Sequence, residues 1–309
     1  MKKGKNKKSK KFVIPVAGLS FCLLIVSVVL NEFGILDDAM QHAVTADAPS
    51  SAITDAELTA HFIDVGQGDC SLFISGSDTM LIDSGEATYS STVIEELRSY
   101  GVTQLDYVVA THAHSDHMGG MADIIETLPV DNIIISEPSQ NSSETATYER
   151  FLDAVENSGA QVILAEPGYT FSLGSAECEI LAPFEVSQTE ENNNSVVLYI
   201  TAGTTSFLMT GDAEKAIEKD IAAAYPNLKA TVLKVGHHGS KTSSGNQFLS
   251  LLQSETAVIS VGAGNSYRHP SEDTVSNLEN NNIKYYRTDI CGTVTVTCGG
   301  DSYAVTTEK

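Results

Sequence analysis

A chain of 309 residues, 42% of them hydrophobic, is long enough for one large domain or two small ones and has an ordinary globular composition. Its charge is one-sided: 40 Asp and Glu against 18 Lys and Arg leave a net charge of −22. Seven of those lysines fall within the first eleven residues, so the remainder is more acidic still. This excludes a protein that gathers nucleic acid on a broadly basic surface, because the average field repels polyanions.

In chain order, the basic tail of residues 1–11 is followed by nineteen uncharged residues, 12–30. That length predicts a membrane-spanning helix, and the positive flank predicts a single-pass anchor with the C-terminal body outside the cytoplasm. A cleaved signal peptide, giving a secreted body, is the alternative; the apolar run is long for one, and Ala46-Asp-Ala48 lies far beyond its end. Residues 31–57 are rich in Ala, Ser and Asp without periodicity and read as a spacer.

From residue 58 the pattern becomes that of a folded domain running to residue 309. Short strands are predicted at 61–65, 70–74 and 79–83, a helix at 92–100, and a buried strand at 107–110. A helix over 121–128, a strand at 132–136, a helix over 147–157 and short strands between 161 and 181 follow. The segments 195–201 and 205–210 predict a hairpin turning at Ala202-Gly-Thr204, then a helix over 213–224 and a strand over 230–235. Helices near 246–253 and 273–281 alternate with strands near 256–261 and 283–287, and two strands close the chain. Strand-rich openings of both halves, each followed by alternating β and α, predict an α/β fold with a two-sheet core and helices outside.

Thr111-His-Ala-His-Ser-Asp-His-Met-Gly-Gly120 stands at the end of the 107–110 strand. It places His112, His114, Asp116 and His117 within six residues, in a chain of eight histidines. Imidazole and carboxylate are the donors that Zn²⁺, Mn²⁺ or Fe²⁺ accepts, and loops at C-terminal strand ends are where α/β folds place ligands. The stretch therefore reads as a metal site. Other chemistry-bearing residues also fall at strand ends: Asp83, Asp212 in Thr210-Gly-Asp212, and His237 and His238 ahead of Ser240 and Lys241. Asp64 and Asp69 bracket a glycine loop, Asn265, Arg268 and His269 share a turn, and Asn194 precedes a strand. Four of the five cysteines (70, 178, 291 and 298) lie in the body, where a disulfide could persist; buried free thiols are an equally good reading. Cys291 and Cys298 flank an extended segment that would hold them more than about 20 Å apart, too far to bond to each other.

His112-Ala-His-Ser-Asp-His117, with Asp212 and a late histidine, resembles the metallo-β-lactamase fold, an αββα sandwich with a metal centre at one edge. Asp64-Val-Gly-Gln-Gly-Asp69, Leu81-Ile-Asp-Ser-Gly85, Leu233-Lys-Val-Gly-His-His-Gly-Ser-Lys-Thr-Ser243 and Arg268-His-Pro270 resemble the extracytoplasmic hydrolase domain of ComEC-type DNA-uptake proteins. The resemblance covers residues 58–309. It implies one or two divalent ions (Zn or Mn): His112 and His114 on the first, Asp116, His117 and His237 on the second, and Asp212 between them. His238 is the alternative to His237. Hydrolysis through a metal-activated hydroxide would engage Asp116 and Asp212, with His269 as general acid or phosphate ligand. Asp83 would orient a metal-bound histidine, and Lys241 and Arg268 would meet an anionic substrate.

Two departures from the pattern matter. No histidine lies between His117 and His237, so the first ion lacks a third imidazole, and Asn194 stands near its place. The chain also has one candidate span instead of a many-helix channel, so a DNA-uptake role would need a separate channel partner. The expected activity is that of a phosphodiesterase or nuclease acting outside the cytoplasm. Hydrolysis of small or cell-surface phosphoesters, of phosphorylcholine or teichoic type, is the alternative, and a non-catalytic binding module is a third reading.

Overall fold

The computed structural model describes Ile53 and residues 56–309. The expected tail and membrane span, and nearly all of the spacer, lie outside the described residues. Among the described residues no helix is long and apolar enough to cross a membrane.

Two mixed sheets face each other. The first has the order β15-β14-β1-β2-β3-β4-β5-β6 and the second β13-β12-β11-β10-β9-β8-β7. In the first, β1 (Leu58–Phe62), β2 (Ser71–Ser75) and β3 (Asp78–Ile82) form an antiparallel meander. Then β4 (Leu105–Ala110), β5 (Val130–Ile135) and β6 (Gln161–Leu164) add in parallel. The second sheet repeats the plan. The strands β7 (Thr170–Leu173), β8 (Ala176–Ala182), β9 (Val197–Ala202) and β10 (Thr205–Met209) are antiparallel neighbours. Next, β11 (Val232–Lys234), β12 (Thr256–Ile259) and β13 (Lys284–Arg287) run parallel to β10 and to each other. The terminal hairpin of β14 (Val294–Gly299) and β15 (Ser302–Thr307) returns to the first sheet beside β1.

The period-two pattern explains the layering. Along β5, Ile134 points to the core shared by the two sheets while Ile133 points to the outer layer; along β10, Phe207 and Met209 enter the shared core and Leu208 faces outward. Phe73 and Phe207 meet edge to face across the sheets at 5.6 Å. Helices α1 (Ser90–Ser99), α3 (Met121–Thr127) and α5 (Ala146–Ser158) cover the outside of the first sheet; α2 is the single turn Ser115–Met118 and α4 the turn Gln140–Ser143. Helices α6 (Lys215–Ala224), α7 (Asn246–Leu252) and α8 (Glu272–Asn280) cover the second sheet. Their ends follow local chemistry: the Thr145 hydroxyl accepts from Tyr148 N at the start of α5, and Gly159 ends that helix in the left-handed region. The expected αββα sandwich is present.

The first strand begins three residues earlier than expected, and its pairing with β14 stops at Phe62 opposite Val294. Beyond that point Asp64 N donates to the Thr293 hydroxyl and the chain turns into the glycine loop. The cysteines 70, 178, 291 and 298 are all free and buried. What matters for function is that β3, β4, β10, β11 and β12 all release their C-terminal loops at one edge of the sandwich.

Candidate metal centre

The loop after β4 carries His112, His114 and, on α2, Asp116 and His117; the loop after β10 carries Asp212, and the turn after β11 carries His237 and His238. Both of these last two residues sit in the left-handed region, with φ of 50° and 51°, so the backbone coils tightly and the two rings diverge. His238 turns inward and is fully buried: its Nε2 lies 3.3 Å from His117 Nε2, 3.2 Å from Asp116 Oδ2 and 3.6 Å from Asp212 Oδ1. His117 Nε2 is 3.2 Å from the same Asp212 oxygen. His237 instead approaches Asp212 Oδ2, at 3.6 Å, and its Nδ1 faces Thr242, Asn192 and Glu214. A second group, His112, His114 and Asp212, shares that bridging carboxylate.

Whether these residues suit a cation follows from where the protons sit. His117 Nδ1 donates to Asp83 Oδ2 at 2.7 Å, so its Nε2 carries a lone pair. His238 Nδ1 donates to the Ser260 carbonyl at 3.0 Å, with the same result. The Thr111 hydroxyl gives its proton to Asp83, 2.7 Å away, and so accepts from His112 Nδ1. In their neutral form, three buried imidazoles therefore turn lone pairs toward two carboxylates, and buried Asp212 Oδ1 has no hydrogen-bond partner. Donors held by a tetrahedral zinc ion lie roughly 3.3–3.6 Å apart, close to the spacings of His238 from His117, Asp116 and Asp212 and of His117 from Asp212. The donor set fits a divalent metal.

Electrostatics agree. Burial alone would lower the pKa of His117 and His238, but Asp212 with Asp83 raises the first well above its usual range, and Asp212 with Asp69 raises the second to about 10. The anionic donors thus demand positive charge at this point, as proton or metal.

Asp69 stands behind the rings, on their Nδ1 side, 3.2 Å from His238 and 4.0 Å from His117. Burial pushes its carboxyl upward, but Lys234, whose fully buried ammonium is 2.8 Å away, and His238 hold it at about 2. The glycine loop gets close enough because Gly68 has no side chain: a Cβ there would lie 2.4 Å from the Asp116 carbonyl oxygen. Asp83 also accepts from Thr111 N at 2.9 Å; burial raises its pKa, and His117 offsets part of that.

Other expected residues are placed elsewhere. Asn194 is buried with its amide engaged by Ser187, the oxygen accepting from Ser187 N at 2.7 Å, so it does not present that oxygen to a metal. Asp64 caps the glycine loop at Gly66 N and faces Lys309. The Ser240 hydroxyl bonds that of Thr242 in its own turn, and the Ser240 carbonyl accepts from the Thr274 hydroxyl in α8. Asn265 closes the turn before His269, accepting from His269 N and donating to His269 O and Gly262 O. Lys241 and Arg268 are exposed and do not line the cavity over the donors. His269 does line it; burial, then His237 and His238, lower its pKa to about 4, so at neutral pH it is an uncharged hydrogen-bonding group.

Sequence reasoning missed several contributors. Ser195 Oγ accepts from Asp212 N at 3.0 Å, and Glu191 accepts from Ala113 N and Ser139 N, which fixes the histidine loop. Lys234 carried a signal, a lysine inside an otherwise apolar strand; Glu191, in a run of polar residues, carried none. Gln67 and Tyr267 complete the lining of a cavity of about 290 Å³.

Residues 63–263 match the sequence profile described as the metallo-beta-lactamase superfamily. Among curated proteins, ComE operon protein 3 of Bacillus subtilis is 35% identical over 77% of this chain and 33% of its own length. Competence protein ComA of Neisseria gonorrhoeae is 30% identical over 78% of this chain and 32% of its own, and recombination protein 2 of Haemophilus influenzae 30% identical over 76% and 28%. The chain thus spans about a third of the length of these relatives. In fold it is similar to CmlA, a diiron beta-hydroxylase from Streptomyces venezuelae, with a TM-score of 0.52 at 14% identity, covering 79% of this chain and 55% of that one.

Proposed function

Since this chain belongs to the metallo-beta-lactamase superfamily, a fold family of metal-dependent hydrolases with competence-protein relatives, we propose that it hydrolyses phosphodiester bonds, with DNA as the leading substrate. The observation that carries the reading is the donor set, two groups joined through Asp212, in a frame of motifs similar to those of DNA-uptake proteins. His117, His238, Asp116 and Asp212 would hold one divalent ion, and His112, His114 and Asp212 a second. Such an ion supplies Lewis acidity toward a phosphoryl oxygen and acidifies water.

The chain's own groups do the rest. Asp83, with Ser260 and Asp69, keeps the His117 and His238 lone pairs aimed inward. Asp116 and Asp212 supply the negative charge that retains the cation. His269, neutral and on the cavity wall, is positioned to hydrogen-bond a phosphate or leaving-group oxygen without bringing charge. We further propose a domain held outside the cytoplasm by the basic, apolar N-terminal segment, receiving DNA from a separate channel protein.

One observation favours a second reading. No Lys or Arg is among the described residues lining the cavity, and the chain is strongly acidic, which suits a cationic phosphorylcholine-type headgroup better than a polyanion. The test offers the purified chain, reloaded with Mn²⁺ or Zn²⁺, end-labelled single- and double-stranded DNA beside bis(p-nitrophenyl) phosphate, with Asp212→Ala as control. Shortening of DNA that vanishes in the control supports the nuclease reading; cleavage of the small diester alone moves the assignment to small phosphoesters; metal binding without either cleavage overturns it.

A further inference from the structure

Tyr267 is the most exposed large apolar side chain among the described residues, at 67%, and it is not scattered at random: its ring lines the cavity over the metal donors. It lies near-parallel to the His269 ring, with centroids 5.7 Å apart and planes inclined by 24°, and His269 in turn meets His237 edge to face at 5.6 Å. The turn that carries it is clamped at its base, where Asn265 bridges Gly262 O, His269 N and His269 O. An aromatic face is thus held in solvent, beside the site, by a shaped and hydrogen-bonded support.

Charge says what this face is for. With a net charge of −22 and no Lys or Arg among the described lining residues, the side chains around the cavity offer a nucleic acid little phosphate neutralisation. Stacking on an aromatic ring needs no cation and tolerates any base, because every base has a π-face. In a duplex those faces are already covered by neighbouring pairs, whereas in a single strand they are free. Building on the phosphodiesterase reading, we infer that Tyr267, backed by His269, is the stacking platform for an unpaired base next to the cleaved bond. The site takes single-stranded nucleic acid and grips it by its bases.

The test separates binding from cleavage. Fluorescence anisotropy is measured with the metal-loaded chain and a labelled oligothymidylate carrying methylphosphonate linkages, which is uncharged at its linkages and resists hydrolysis. The comparison strand has the same linkages and abasic sugars. The base-bearing strand should bind roughly 5- to 100-fold more tightly. Tyr267→Ala should abolish that difference and Tyr267→Phe should keep it; the position is exposed, so neither variant threatens folding. Equal affinity for the two strands, discrimination that survives in Tyr267→Ala, or tighter binding of a duplex than of a single strand would each overturn the inference. Ordinary single-stranded DNA, incubated in parallel, reports on hydrolysis: base discrimination without cleavage supports the platform while removing the phosphodiesterase reading.

Discussion

Replacing Asp83 by Asn is expected to weaken metal binding roughly 10- to 100-fold, read by titration against a competing chelator. Asp83 now accepts from Thr111 N, the Thr111 hydroxyl and His117 Nδ1. An amide supplies one acceptor and turns its NH₂ toward a group that is itself a donor, so His117 loses the partner that fixes its tautomer. A different buried histidine, away from the metal donors, contributes to acid sensitivity. His61 stacks on Tyr100 at 3.9 Å and bonds the Thr295 hydroxyl, and burial lowers its pKa to about 4. The unfolded chain, with a value near 6.5, therefore binds the proton more readily than the folded one. The contribution is complete above about pH 6.5 and is lost as pH falls toward 4. Urea midpoints at pH 7 and pH 4.5 should differ less in a His61→Gln variant than in the parent chain.

At the scale of elements, Glu191 ties the two sheets' loops together. Its oxygens accept from Ala113 N at 2.9 Å and from Ser139 N at 2.7 Å, and it is itself buried. Glu191→Ala leaves two buried N–H groups without acceptors, and should cost about 2–4 kcal/mol in urea unfolding. It should also loosen metal binding at His112 and His114. The same contrast separates what could be read in the chain from what could not. Strands such as β4 and the β9–β10 hairpin are visible because burial on two faces makes them near-continuous apolar runs bounded by turn residues. The His112–His117 cluster and Asp212 are visible because donor chemistry is concentrated at strand ends. Which of His237 and His238 turns inward depends on two residues with positive φ, which no hydrophobic pattern encodes. Asn194 reads like a ligand, yet the backbone of Ser187 claims its amide. Tyr267 looks like any surface tyrosine until the turn around Asn265 sets it over the cavity.

For the whole molecule, the acidic surface predicts an unusual salt response. Raising monovalent salt from about 50 to 200 mM normally weakens binding to nucleic acid steeply. Here screening relieves repulsion, so the KM for single-stranded DNA is expected to fall, while that for a small diester changes little; steady-state kinetics at fixed divalent concentration would check it. The return of the C-terminal hairpin to the first sheet has a consequence for how the molecule is made. Leu58 pairs with Cys298, about 240 positions later in the chain. At roughly 5–20 residues per second, a nascent chain carries β1 with one bare edge for on the order of 10–50 s before β14 is synthesised. During that interval the open edge is a template for other strands, so the ribosome-bound chain stays adhesive along β1 until β14 is made and closes it.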